Sequence, residues 1–274
     1  MPRANGSTVN AVATLCLLLI PLSALAQEGQ SERERGGVLL GAFVTDRATS
    51  ARLDSASGPG DDIDFEDDLG LEDSTSVVRF GAYFWLKPRH RFDFSIFDLS
   101  RDATRQIDET IEFGDEIFVI NTVVTTSNDV TITKLDYTFV PLNRMRGYLG
   151  ITGGLYISAN EITLSEPTLG AFESEDITAP LPVIGLRGEY EITERITLRG
   201  ATQWFGIDTG DVEGRLVDTY VGVDYSFGRH IALGLAYNDV SLSVSASEDT
   251  GWNGMLDWGY DGILLYTKVA FGGN

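Results

Sequence analysis

Three sets of residues in this 274-residue chain could do chemistry. The first is a group of charges at every second position of otherwise apolar segments: Arg79, Arg91, Asp93, Lys134, Asp136, Arg187, Glu189, Arg199, Asp218, Asp224 and Lys268. Six are positive and five negative. On the inner face of a narrow enclosure they are expected to pair with one another, because an unpaired buried charge is costly. A charge-lined channel would use the same residue types, but the near-balance favours a salt-bridged, closed interior.

The second set is an acidic run, Asp61, Asp62, Asp64, Glu66, Asp67 and Asp68. Carboxylate oxygens suit divalent cations, yet no glycine stands at the sixth position from Asp61 or Asp62, as an EF-hand loop requires. The run is a candidate cation loop, set against a solvated loop held open by repulsion. No metal is firmly predicted and no cofactor is expected.

The third set is His90 and His230, the only histidines. A His-dependent site needs a neighbouring Ser, Asp or Glu in a hydrogen-bonded constellation. Both histidines fall in or beside short basic turns, so catalysis is not expected. Nothing beside pairs such as Asp67 and Asp68 signals a perturbed carboxylate.

The elements that must position these charges are strands. Side chains of a strand alternate between two faces. In 77 to 87, Val78, Phe80, Ala82, Phe84 and Leu86 oppose Arg79, Gly81, Tyr83, Trp85 and Lys87; in 215 to 227, Val217, Val221, Val223 and Tyr225 oppose Asp218, Tyr220, Gly222 and Asp224. One face suits lipid and the other a polar interior. Ten such strands are predicted: 37–47, 77–87, 90–105, 121–140, 147–164, 178–191, 195–206, 215–227, 230–246 and 256–271. In 90 to 101 the apolar phase slips from Phe92, Phe94 and Ile96 to Phe97 and Leu99, which predicts a bulge or the membrane boundary. Further pairing is allowed for within 107 to 128.

Short basic turns join alternate strands: Lys87-Pro88-Arg89-His90, Pro141 to Arg146, Thr193-Glu194-Arg195 and Phe227 to His230. The other connections are long and acidic. Segments 54–75, 108–129, 161–178, 208–214 and 246–261 hold 27 of the 41 acidic residues and no Lys or Arg. Aromatic residues at strand ends read as two interfacial girdles: Trp85, Phe92, Phe139, Tyr148, Tyr190, Tyr225 and Phe271 near the short turns, Trp204, Tyr237, Trp252, Trp258 and Tyr260 toward the other end. An all-β antiparallel transmembrane barrel of about ten strands (8–12) follows, with short periplasmic turns and long acidic extracellular loops. The even strand number puts both ends on the periplasmic side.

Residues 1–26 read as a secretory signal peptide: Arg3, an apolar run from Ala11 to Leu22, and Ala24-Leu25-Ala26 before the expected cleavage. The run is too short for a membrane helix, and no later stretch reaches the ~18 apolar residues one needs. The only cysteine, Cys16, lies in the signal. The remaining 27–274 form one barrel domain with 19 basic and 41 acidic residues, a net charge of −22. Such a surface excludes nucleic acid as a partner.

With its signal, its alternation and its final strand Gly262 to Phe271, the chain resembles the small outer-membrane β-barrel proteins of Gram-negative bacteria, in the general plan of the OmpA and OmpW type. The resemblance implies location in the outer membrane, contact with its lipid and lipopolysaccharide, and handling by the barrel-assembly machinery. It also implies that Val269 and Phe271 form the assembly signal, although Tyr266 sits where a glycine is usual and Gly272-Gly273-Asn274 follow. The expected function is non-enzymatic: a structural barrel or a narrow, porin-like small-solute channel with a salt-bridged polar lumen. The alternatives are an adhesion or partner-binding barrel working through its acidic loops, with divalent cations as candidate partners, and, third, a barrel enzyme.

Overall fold

The computed structural model describes residues 34–272, apart from 56, 57, 114, 115, 167–169, 211 and 247–252. The expected signal peptide, Trp252, Gly273 and Asn274 lie outside the described residues. Ten long antiparallel strands make the wall: β1 (Gly36–Leu53), β3 (Ser74–Lys87), β4 (His90–Gln106), β7 (Val123–Arg144), β8 (Gly147–Glu166), β9 (Ala171–Glu191), β10 (Ile196–Asp208), β11 (Val212–Ser226), β12 (Ile231–Ala246) and β13 (Gly254–Phe271). Sequential neighbours pair throughout, and β1 closes on β13 from Gly36↔Phe271 to Leu53↔Gly254. Closure leaves no free outer strand, which is what lets a sheet sit in lipid.

Three short strands lie in the long connections. β2 (Ile63–Asp64) pairs with β1. β5 (Ile111–Phe113) and β6 (Glu116–Phe118) form a hairpin, so the segment 107 to 128 does carry additional pairing.

Two gaps interrupt the wall near the long-loop end. β3 and β4 pair only from Lys87↔His90 to Phe80↔Ile96, and β4 then continues to Gln106 beside β7 alone. β9 and β10 pair only from Glu191↔Thr197 to Ile184↔Trp204. Just beyond Ile184 stand Pro182 and Pro180, which have no N–H to offer a partner strand.

Several strands carry two zones of opposite polarity. Toward the short turns the outward residues are apolar, as with Val38, Leu40 and Val44 on β1, or Ile231, Leu233, Leu235 and Tyr237 on β12. Farther along, the pattern inverts. On β12, Asp239, Ser241 and Ser243 face outward while Val240 and Leu242 are buried; on β13, Asp257 and Asp261 face outward while Leu256, Trp258 and Tyr260 are buried. The first zone is apolar outside and polar inside, as lipid demands; the second is apolar inside and polar outside, as water demands.

The inversion accounts for the phase slip in β4. No bulge occurs there: β4 and β7 stay in register from His90↔Phe139 through Gln106↔Val123. Phe92, Phe94 and Ile96 look outward into the apolar belt, whereas Phe97 and Leu99, 2% and 0% exposed, look inward into the apolar core of the second zone. The wall's true irregularities lie elsewhere, between Trp85 and Lys87 and between Phe139 and Leu142, both beside short turns.

Inward facing also corrects the girdles. Phe92, Phe139, Tyr225 and Phe271 at one edge, and Trp204 and Tyr237 at the other, are outward and exposed. Trp85, Tyr148, Trp258 and Tyr260 are buried inside the barrel, because each falls on the same strand face as the interior charges.

Candidate functional site

In the first zone the interior is a continuous network of charges, and the structure places all eleven residues of the first set on the inner face. Arg91 is its hub. Its guanidinium donates to Asp93 at 2.7 Å, to Glu189 at 2.6 Å and to the Tyr148 hydroxyl at 2.7 Å, and it stacks 4.4 Å from the Tyr83 ring centre. Arg187 lies 3.2 Å from Asp136 and 3.7 Å from Asp93. Arg199 bridges Asp224 at 2.8 Å and Glu189 at 3.8 Å, and Lys268 bridges Asp224 at 3.5 Å and Glu34 at 3.0 Å. Lys134 pairs with Asp218. Within a low-dielectric wall these charges neutralise one another as a set, although among the described residues Arg187 Nε, Arg199 Nε and Asp224 Oδ2 are buried without a hydrogen bond, so removing one member strands its neighbours.

Arg79 differs: it donates to Ser95 Oγ at 3.0 Å and to Asn238 Oδ1 at 2.7 Å rather than to a carboxylate. Asn238 then donates to Asp218 at 2.8 Å, and Gln203 donates to Asp136 at 2.8 Å. Neutral amides thus complete the network. They were not singled out in the sequence, although Gln203 and Asn238 share strand faces with Arg199 and Leu242, and parity alone places them inside. A cavity of about 120 Å³ remains among these groups, with a wider one of about 430 Å³ at the short-turn mouth. The smaller is lined by both charged and apolar side chains, among them Arg79, Asp136, Leu39 and Leu264, and is large enough for several waters.

In the second zone the interior is packed with Phe43, Phe97, Leu99, Ile132, Tyr156 and Trp258 among other apolar side chains. Phe43, Phe97 and Tyr260 meet edge to face, with ring centres 5.6 to 5.8 Å apart. Such pairs add about 0.5–1.5 kcal/mol each beyond the area they bury.

The acidic first loop folds into this core. Ile63, Phe65, Leu69 and Leu71 are all 3% exposed or less. Glu66 turns inward, accepting from the Thr49 N–H at 3.0 Å and pairing with Arg101. Arg101 also donates to the Glu72 carbonyl at 2.9 Å, and Arg105 to the Asp67 carbonyl. The loop therefore spans from β1 to β4 where β3 has left the wall. Arg101 and Arg47 were missed as interior residues, although Arg101 continues the inward parity of Phe97 and Leu99. Arg47 donates to the Leu99 carbonyl at 3.0 Å and to Asn128 at 2.9 Å.

The other carboxylates of the run serve the loop itself. Asp64 Oδ1 accepts from the N–H groups of Glu66 and Asp67 at 3.0 and 2.9 Å, and Asp68 accepts from the Asp64 N–H at 2.8 Å. Asp61 accepts from the Glu112 N–H at 2.8 Å, tying the first loop to the β5–β6 hairpin, and Asp62 lies 3.5 Å from Arg52. Among the described residues no three His, Cys, Asp or Glu side chains converge as a cation site needs.

Both histidines sit at the short-turn end. His90 Nδ1 is 2.7 Å from the Tyr137 hydroxyl and His230 Nδ1 is 3.2 Å from the Ala270 carbonyl. Val269 and Phe271 are outward and exposed on the closing strand β13.

No family model and no curated protein matches the sequence. Solved structures resemble the chain in architecture. The P. putida toluene transporter TodX is 7% identical, with 88% of this chain and 91% of that chain covered and a TM-score of 0.36. The translocator domain of the autotransporter NalP from Neisseria meningitidis is 12% identical, with coverage of 91% and 92% and a TM-score of 0.37. The outer membrane protein OprG from Pseudomonas aeruginosa is 11% identical, with coverage of 86% and 97% and a TM-score of 0.30. The fold is an all-β, closed, antiparallel barrel of ten strands.

Proposed function

We propose that the protein is a non-enzymatic barrel of the Gram-negative outer membrane with a structural role and a lumen sealed against solutes. One observation carries this reading. The interior is filled twice over, by a charge network in the zone that faces lipid and by an apolar core with the folded first loop above it. Either layer would obstruct ions: the first because its charges are already paired, the second because a dry apolar constriction excludes them. The outward apolar belt supports membrane insertion, with the short turns periplasmic and the acidic connections extracellular. Neither histidine has an Asp, Glu or Ser hydrogen-bond partner among the described residues, which supports a non-enzymatic role.

Planar-bilayer recording tests the reading. The wild-type protein should insert without steady current; sustained single-channel conductance would overturn the sealed lumen in favour of a small-solute channel.

A partner-binding role is the second reading, favoured by a specific feature. Ile117, Val119, Ile120 and Phe172 are each at least 44% exposed near the long-loop end, among acidic residues. Loss of binding to a surface partner after polar replacement of these four would support it.

A further inference from the structure

The inward charges of the ten strands do not balance by themselves. They comprise six bases and five acids, and one acid is shared: Asp224 lies 2.8 Å from Arg199 and 3.5 Å from Lys268. The sixth acid comes from outside the wall. Glu34 precedes β1, and its carboxylate approaches Lys268 Nζ more closely than Asp224 does, at 3.0 Å.

The contact has the geometry of a carboxylate clamp. Lys268 Nζ donates to Glu34 Oε1 at 3.0 Å and lies 3.4 Å from Oε2, while the Tyr83 hydroxyl donates to Oε2. Two donors thus read the two oxygens of one planar group. Neither donor depends on Glu34 for its position. Lys268 and Tyr83 are 5% and 4% exposed, and Tyr83 lies so close over Gly37 that a Cβ there would fall 2.8 Å from its ring and its hydroxyl. The Arg91 guanidinium, 4.4 Å from the ring centre, holds it further.

Glu34 is held in a different way. It belongs to no strand and its side chain is 36% exposed. Its tether is Arg35, whose N–H donates to the Phe271 carbonyl at 2.9 Å and whose carbonyl accepts from the Trp85 N–H at 2.7 Å. Glu34 borders the cavity of about 430 Å³ at the short-turn mouth, which Lys268, Tyr83, Trp85, Arg199 and His230 also line. The donors are buried, the acid stands at the mouth, and a space of small-molecule size adjoins both.

We propose that Lys268 and Tyr83 form a carboxylate-binding site at the short-turn mouth, occupied in cis by Glu34, and that a small organic carboxylate entering the mouth cavity takes the same place. The site is independent of whether the lumen conducts.

Acetate titration of the full folded barrel in micelles, read by saturation transfer to the acetate methyl group, tests it, with acetamide as the neutral isostere. The cis acid competes at an effective concentration in the millimolar range, so E34A should bind acetate roughly tenfold or more tightly than the wild type. E34A/K268M and E34A/Y83F should lose that gain, whereas E34A/R229Q, altered at the same mouth but outside the clamp, should keep it. Acetamide should show no gain in any variant. Equal affinity for acetate in the wild type and E34A, a gain retained without Lys268 or Tyr83, or a matching gain with acetamide would each overturn the site. Heat-shifted gel migration of the same samples reports folding, and E34A/Y83F, which removes only a hydroxyl from the clamp, serves if the Lys268 variant does not fold.

Discussion

The guanidinium of Arg79 lies 4.7 Å from the centre of the Phe97 ring, at the level where the barrel interior changes from charged to apolar. It faces the network through Ser95 and Asn238 and the core through Phe97 and Phe43. A cation over an aromatic face is the one ionic contact an apolar layer can offer, which makes Arg79 the joint between the two seals.

Truncating that joint should cost stability without changing the wall. Arg79→Ala removes two charge-assisted hydrogen bonds and a cation–π contact, an expected loss of about 2–4 kcal/mol. Equilibrium unfolding in urea and detergent, followed by the shift of the folded gel band, would measure it. A loss below about 0.5 kcal/mol would show the contact to be incidental.

The first loop should be held by Glu66 more than by its other acids. Glu66→Ala leaves the buried Arg101 guanidinium short of its carboxylate, which costs on the order of 3–5 kcal/mol locally. Hydrogen exchange should rise across 61–72 in this variant, while Asp62→Ala, whose acid is exposed and only 3.5 Å from Arg52, should leave protection unchanged. Equal behaviour of the two variants would show that Glu66 is not the anchor.

The pair Lys134 and Asp218 should show the asymmetry of buried ion pairs. Lys134→Met or Asp218→Leu alone leaves an uncompensated charge and should destabilise strongly, by about 3–5 kcal/mol, whereas the double replacement should recover most of that loss. A double-mutant cycle on unfolding free energies settles it; additive losses would mean that the pair is not coupled.

Gly234 should resist any side chain. A Cβ there would fall 2.1 Å from Tyr266 Cζ on the neighbouring strand, and Tyr266 is 2% exposed with its hydroxyl on Asp224. Gly234→Val should therefore cost about 1–3 kcal/mol by overpacking and slow the appearance of the heat-shifted folded form. Gly206→Ala, where a Cβ meets nothing within 4 Å, serves as the control.

Opening the lumen should require breaking both layers. Deletion of 61–71 alone, or neutralisation of Arg91 and Glu189 alone, should leave planar bilayers silent, and only the combination should conduct. Current through either single variant would assign the seal to one layer.

The strand count, the closure, the inward set of eleven charges and the turn positions were legible because period-two alternation is a local property of the chain. Tyr266 illustrates the boundary of that legibility. Its position on the closing strand could be read, but the glycine that accommodates it, Gly234, lies on the neighbouring strand and is set by register alone. The reversal of faces was half visible: Phe97 and Leu99 broke the phase of β4, but a slip of phase looks the same whether the backbone bulges or the solvent changes. The first loop was the least legible part. Its acids dominate its composition, while Phe65, Leu69 and Leu71, which bury it, are too few and too irregularly spaced to announce a periodic element.

The reversal of polarity along several strands acts as a waterline. Strand β1 shows why: sliding the barrel outward by two residues would strand Val44 in water, and sliding it inward would drag Asp46 into hydrocarbon, with Asp98, Asp239 and Asp261 following on their own strands. Marks at one level on β1, β4, β12 and β13 leave the barrel a single depth at which it can float. On the membrane reading proposed above, the half packed on apolar side chains belongs in water and the half lined with charges belongs in lipid.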